Sequence, residues 1–202
     1  MNKKTVALTD ELYLKIIETM REGNFVYKDN KGVERVFQPN NRIATALNVE
    51  ANLGLRIGDV VKLRISDMVK DGTRYRLDII EEKTRKKREF TVPVEVYSYI
   101  QEYAYKNGIR PTAKLFDISV RAVQKQLKIV CDYLKTKGVD TSGVGTHSFR
   151  KYFATNIYVN NNYNIELVRK ILQHSSISIT QTYIGIQQKD VEAALQNNIR
   201  LV

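Results

Sequence analysis

The sequence predicts a mainly α fold with a small antiparallel β-sheet, an α+β domain. Three observations lead there. Several long stretches repeat apolar residues at helical spacing, three of them behind a capping residue. The central run "RYRLDIIEEKTRKKREFTVPV" instead carries two β-prone segments around a charged connection. No internal repeat or low-complexity linker divides the 202 residues, a length that holds one large domain or two small ones with a real core.

The elements follow in order. "LTDELYLKIIETMREG" reads as a helix capped by Thr9, with Asp10 and Glu11 at its positive end and Leu12, Ile16, Ile17 and Met20 on one face. Gly23 ends it. "FVYKDNKGVERVF" places the turn Asn30-Lys31-Gly32 between two strand-like runs, a small hairpin. "NNRIATALNVEANLG" is helical and stops at Gly54, and a short helix is expected over Ile57 to Leu63. Strands are expected at Tyr75 to Ile80 and Glu89 to Val94, with the residues around Met68 as a third. Two helices follow in "VEVYSYIQEYAYKNG" and "SVRAVQKQLKIVCDYLKTKG". Ser119 caps the second, and Val123, Leu127, Val130 and Leu134 form its stripe. Helix packing accounts for Tyr97, Tyr99, Tyr103 and Tyr105. "THSFRKYFATNIYV" and "NIELVRKILQ" make two more helices, the latter capped by Asn164. The tail "QKDVEAALQNNIRLV" is weakly amphipathic.

Composition narrows the chemistry. Lys and Arg number 33 against 22 Asp and Glu, a net charge of +11. That excess suits either a soluble basic surface or a polyanion partner, since a basic domain that neutralises phosphates releases condensed counterions. The single cysteine, Cys131, cannot close an internal disulfide and sits in an apolar run, which fits a reducing, cytoplasmic setting. No apolar stretch approaches the ~20 residues of a membrane span, so no membrane partner is expected.

A few polar residues stand apart from this framework. His147 and Arg150 in "HSFR" share one helix face. Arg56 follows a glycine turn at the entry of a short helix, with Asp59 three residues on to hold its guanidinium. The charged hairpin tip offers Lys83, Arg85, Lys86 and Lys87, which read equally as solvated charge or backbone contacts to DNA. "LQHSSISITQTYIG" contains the second of only two histidines, His174, nine residues before Tyr183, in a run too polar for a core helix. The set is chemically coherent. Two arginines and a histidine can stabilise the charge that develops on a phosphodiester under attack. A tyrosine can attack phosphorus, a lysine can protonate the departing oxygen, and a second histidine can accept the tyrosine proton.

The order Arg, Lys, His-x-x-Arg, His, Tyr resembles the tyrosine recombinases, the phage-integrase family of DNA strand-exchange enzymes. "GLRIGDVVKLRISDM" is similar to the family's first-arginine box and "EEKTRKKREFTVPV" to its lysine hairpin. "THSFRKYFAT" resembles the His-x-x-Arg box, and "LQHSSISITQTYIG" the segment that ends in the nucleophile. The likeness implies the catalytic-domain fold of that family and Tyr183 as nucleophile, forming a 3′-phosphotyrosyl intermediate. It implies Arg56, Arg150 and His174 around the scissile phosphate, His147 as proton acceptor and Lys83 as general acid, with Lys86 the competing lysine. No cofactor or metal is implied. Departures are Gln173 before the histidine, where the helix is expected to tolerate a larger residue, and Phe149 inside the His-x-x-Arg box. Glu81 and Glu82 are expected to put negative charge on the DNA side.

The expected partner is double-stranded DNA. The resemblance also implies a homotetramer on DNA, docked through Val191, Ala194, Leu195 and Ile199 of the tail, with room for an accessory DNA-bending protein. The expected organisation is a single catalytic domain over residues 1–202, with a core at about 8–186, a tail at 187–202 and no N-terminal core-binding domain. Two other functions share the scaffold: a non-catalytic DNA-binding regulator or accessory factor, and a type IB topoisomerase-like relaxing enzyme.

Overall fold

Thr9 opens the first helix, α1 (Asp10–Glu22), by accepting the Leu12 N–H, and Gly23 closes it at φ 55°. Ile16, Ile17 and Met20 are buried along its inner face. The computed structural model describes residues 5–83, 85, 87–185, 192 and 195–199. After α1 the chain forms the hairpin β1 (Phe25–Lys28) and β2 (Glu34–Phe37), paired from Phe25↔Phe37 to Lys28↔Glu34. Asp29 organises its turn by accepting from the Lys31 and Val33 N–H groups. Phe25 stacks between Phe37 and Tyr133, which fastens the hairpin to the helical core.

The helix α2 (Asn41–Leu53) is capped by Asn40 and buried on most sides, and it packs against α1. It ends at Gly54 in the left-handed region, φ 59°. The short helix expected to Leu63 is only one turn, α3 (Ile57–Val60), followed by a 3-10 turn at Ile65–Asp67. Four residues suffice there because Ile57 and Val60 already reach the core and the chain then turns toward the sheet.

That sheet has three antiparallel strands in the order β3 (Met68–Asp71), β4 (Arg74–Ile80) and β5 (Lys87–Val92). Met68 pairs with Leu77, and Leu77 with Phe90. Met68, Leu77 and Val92 are the buried apolar residues of the three strands. The expected second strand ends two residues early: Pro93 caps α4 (Val94–Lys106), so Val94 is helical. Proline has no N–H for a ladder and its fixed φ suits a helix entry. Tyr97 and Tyr103 are buried on α4, whereas Tyr105 is 89% exposed and owes nothing to packing.

α5 (Val120–Thr136), capped by Ser119, buries Val123, Leu127, Val130, Cys131 and Leu134, and packs on α1. α6 (Thr146–Asn160) crosses α2 and carries Phe149 into the main core. α7 (Ile165–Leu172), capped by Asn164, and α8 (Ile177–Gln181), capped by Ser176, complete the helical body. Ala154, Val168 and Leu172 form a second, smaller apolar cluster, with Phe153, Ile157, Tyr158 and Tyr183 packed on it. The mainly α architecture with small antiparallel sheets matches the expected class. Val191 and Ala194 of the tail, and Lys86 of the hairpin tip, lie outside the described residues. Leu195 and Ile199 are exposed.

Candidate active site

Gly54 organises the floor of the site. Its left-handed backbone turns the end of α2 so that its carbonyl faces two guanidinium groups. Arg150 Nη1 donates to it at 2.5 Å and Arg88 Nη2 at 3.4 Å. A Cβ at this position would sit 2.3 Å from the Phe153 ring. Arg150 Nη2 donates to the Leu172 carbonyl, so the fully buried side chain ties α2, α6 and α7 together. Burial and the neighbouring Arg88 and Arg56 charges pull its pKa down to about 10. It stays cationic at neutral pH.

Arg56, the N-cap residue of α3, is mostly buried and pairs with Glu81 at 2.5 Å. Glu81 holds Arg88 with its other oxygen at 2.8 Å, and both are nearly sealed from solvent. One carboxylate thus bridges two guanidinium groups, a geometry suited to their fork of donors. The sequence reading gives this task to Asp59. The structure corrects it: Asp59 is buried and its Oδ1 accepts the Glu82 N–H at 2.9 Å, while Glu81 takes Arg56. Glu81 is therefore not negative charge displayed toward DNA, and Glu82 is paired with Lys62.

The Asp59 bond still matters, because it pins the loop that carries Lys83. The Arg85 N–H closes on the Glu81 carbonyl at 2.9 Å, with Arg85 at φ 56°, and the exposed Lys83 lies in the turn between β4 and β5. Lys87 belongs to β5 and is held by Asp78 and Glu89 on the sheet.

His174 sits between α7 and α8 and is buried. Its backbone N–H donates to the Arg169 carbonyl, and Arg169 Nη1 donates back to the His174 carbonyl. Glu166 holds that arginine through both its oxygens. The ring lies 3.4 Å from Arg150 Nη2 and 3.1 Å from Thr180 Oγ1. Burial, then the charges of Arg150, Arg56 and Arg88, push its pKa down to about 4. Gln173 precedes it at φ 54°, as the C-cap of α7. This corrects the expectation of a helical site: a left-handed cap favours glycine, and Gln173 occupies it while donating to the Lys87 carbonyl.

Tyr183 packs on the smaller apolar cluster, its ring centroid 4.6 Å from His174 and 5.7 Å from the Arg150 guanidinium carbon. Lys151 lies 5.9 Å from the same ring. Two residues on, the Gly185 N–H donates to Thr155 on α6. A Cβ at Gly185 would stand 2.6 Å from the Ala7 Cβ, so the segment lies flat against the chain's early residues. His147, exposed at the first turn of α6, has its pKa lowered by crowding around the ring and by the charges of Arg150, Lys83, Arg56 and Lys151.

The structure thus brings Arg56, Arg150, His174 and Tyr183 into one cluster, with His147 and Lys83 electrostatically coupled at its edge. Sequence reasoning missed the bridging role of Glu81, and it missed Arg88 and Thr180. Period-2 registry held a signal for the first two, since Arg88 falls in line with Phe90 and Val92, and Glu81 with Leu77 and Ile79. Among the described residues no group of three His, Cys, Asp or Glu side chains is placed to hold a metal ion.

Known proteins share this arrangement of elements. The chain is 32% identical over 152 residues to the probable integrase/recombinase YoeC of Bacillus subtilis, covering 71% of this chain and 77% of YoeC. It superposes on the XerH site-specific recombinase in its post-cleavage complex with palindromic difH substrate with a TM-score of 0.69 at 19% identity. That match covers 96% of this chain and about half, 53%, of the XerH chain. The catalytic domain of bacteriophage HP1 integrase matches with a TM-score of 0.60 at 17% identity, over 96% of this chain and 95% of that one. At such identities the two structures speak for the fold. Residues 7–190 match the sequence model of the phage integrase family, and the chain belongs to that family.

Proposed function

We propose that this chain is the catalytic domain of a site-specific tyrosine recombinase, which cleaves and rejoins DNA strands through a phosphotyrosyl intermediate. The observation that carries the reading is the placement of Tyr183 against His174 and Arg150, with Arg56 joined to the same charged cluster through Glu81 and Arg88. Fixed cations beside a tyrosine ring are what in-line attack on a phosphodiester requires, because negative charge builds on the nonbridging oxygens as the hydroxyl adds.

The roles are those the family resemblance implies. Tyr183 attacks phosphorus and the 5′-oxygen departs, leaving the 3′-phosphate on the tyrosine. Arg56 and Arg150 bind the nonbridging oxygens with His174. His147, exposed beside them and kept largely neutral, accepts the tyrosine proton. Lys83, on its pinned turn, protonates the leaving oxygen. Rejoining reverses these steps and needs no external energy source, since the phosphotyrosine keeps the bond energy.

The partner is double-stranded DNA, met by a chain of net charge +11, with Arg85, Lys86 and Lys87 as backbone contacts. The reading extends to a cytoplasmic enzyme that forms a tetramer on DNA. Its tail would dock through Val191, Ala194, Leu195 and Ile199, the last two exposed here, and a DNA-bending protein is an open accessory. Among the described residues no helix is long and apolar enough to cross a membrane.

The test is capture of SDS-resistant adducts from a library of nicked duplexes, with wild type beside Tyr183→Phe. An adduct that requires Tyr183 supports the reading. Duplex binding with no cleavage favours the regulator, and plasmid relaxation without sequence preference favours the topoisomerase.

A further inference from the structure

Thr180 has no role in the scheme above, yet its hydroxyl is the partner of a catalytic ring. It is fully buried in α8, three residues before Tyr183, with Oγ1 3.1 Å from His174 Nδ1. The other ring nitrogen, Nε2, faces Arg150 Nη2 at 3.4 Å. A guanidinium has donors and no acceptor. While Arg150 is charged, Nε2 therefore has to accept, and it carries no proton. A neutral imidazole then holds its proton on Nδ1, which donates to Thr180. The Thr180 hydroxyl, free to donate onward, reaches the Ser176 carbonyl at 3.3 Å. Every donor finds an acceptor in that arrangement. The opposite tautomer would set an imidazole N–H against a guanidinium N–H.

We propose that Thr180 is a positioning residue that holds His174 as its Nδ1–H tautomer, with unprotonated Nε2 turned to Arg150, in the DNA-free protein. The catalytic meaning rests on the recombinase reading: in this state His174 offers a phosphate no Nε2–H, and it donates there only after Nε2 gains a proton. The groups around the ring are Arg150 from α6, Arg56 from the entry of α3, Arg88 from β5, Glu81 from the turn after β4, and Tyr183. Arg169 of α7 holds the His174 backbone.

The chain has only two histidines, so long-range 15N–1H spectra of the imidazoles are simple, and His147→Gln assigns the remaining ring. At pH 7 the wild type should show His174 as Nδ1–H. Thr180→Ser should keep that state, and Thr180→Val, which leaves the buried Nδ1–H without its acceptor, should lose it to a mixture or to Nε2–H as the ring turns away from Arg150. Nε2–H in the wild type overturns the proposal, as does an unchanged Nδ1–H in Thr180→Val. The wild-type spectrum needs no variant, and Thr180→Ala replaces Thr180→Val if the latter does not fold. Adduct formation on nicked duplex supplies the second arm. Thr180→Ser should stay near wild type while Thr180→Val slows about tenfold or more at unchanged duplex affinity, because the Nδ1–H bond to Thr180 also orients the protonated ring whose Nε2–H donates to phosphate. Equal rates for the two variants would remove Thr180 from the reaction. A wild type that forms no adduct would overturn the recombinase reading and leave the tautomer assignment standing on its own spectrum.

Discussion

Buried charge sets the behaviour of individual residues here. Glu81 neutralises two guanidinium groups, so removing it leaves Arg88 charged and without its carboxylate in the interior. Glu81→Gln should lower the unfolding free energy by about 3 kcal/mol, and adding Arg88→Gln should recover part of that loss. Urea unfolding of the two variants measures the coupling, and strictly additive losses would contradict it. Two buried groups also give stability opposing pH dependences. His174 titrates near 4 when folded and near its ordinary 6.5 when unfolded, so its contribution is present above pH 6.5 and is lost as pH falls toward 4. Glu50 is fully buried in α2, and burial raises its carboxyl well above the usual range. Its contribution is present below its unfolded value of about 4.5 and is lost as pH rises. Glu50→Gln removes that opposing slope. The variant should therefore gain stability over wild type as pH rises above 4.5, and a constant difference across pH would contradict the assignment. At this scale the sequence was legible where residues carry rare chemistry, such as the only two histidines. It was opaque at Glu81 and Thr180, because an ordinary residue type becomes special only through the neighbours that tertiary contacts supply.

At the scale of elements, the site depends on chain segments being turned in a fixed way. Gly54 ends α2 in the left-handed region and aims one carbonyl at Arg88 and Arg150. Gly54→Ala has to accept a strained φ and a clash with Phe153, so it should cost on the order of 2 kcal/mol or more. Its adduct yield should fall further than its stability alone explains, because both arginines share that anchor. Thermal unfolding beside adduct yield checks this, and normal cleavage at lowered stability would contradict it. Most elements can be read directly from caps and periodicity: Thr9, Ser119 and Asn164 each accept the backbone N–H expected of a cap. Boundaries are less legible. α3 is shorter than its apolar run, since Val61 and Leu63 reach the core from the turn that follows it. Val94 joins a helix because Pro93 starts one. Gly54 itself reads only as a stop signal, and its second duty depends on residues 88 and 150, distant in sequence.

Over the whole molecule, the residues proposed for catalysis come from the entry of α3, the β4–β5 turn, α6, the α7–α8 junction and the segment just after α8, and Gly54 at the end of α2 anchors Arg150 among them. The net charge of +11 belongs to this scale as well. Duplex affinity should fall steeply with salt, with a slope of log K against log salt on the order of −4 or steeper. A slope near zero, read by fluorescence anisotropy across a salt series, would remove phosphate contacts from the account. Composition made that expectation legible without any structure. The identity of the bonded atoms was not, since charge says nothing about which of twelve tyrosines does chemistry. The most direct measurement is peptide mapping by mass spectrometry of the adduct captured from nicked duplex, after nuclease digestion. The account predicts a nucleotide remnant on Tyr183, joined through a 3′-phosphate. A remnant on any other residue, or a 5′-phosphate link, would contradict it.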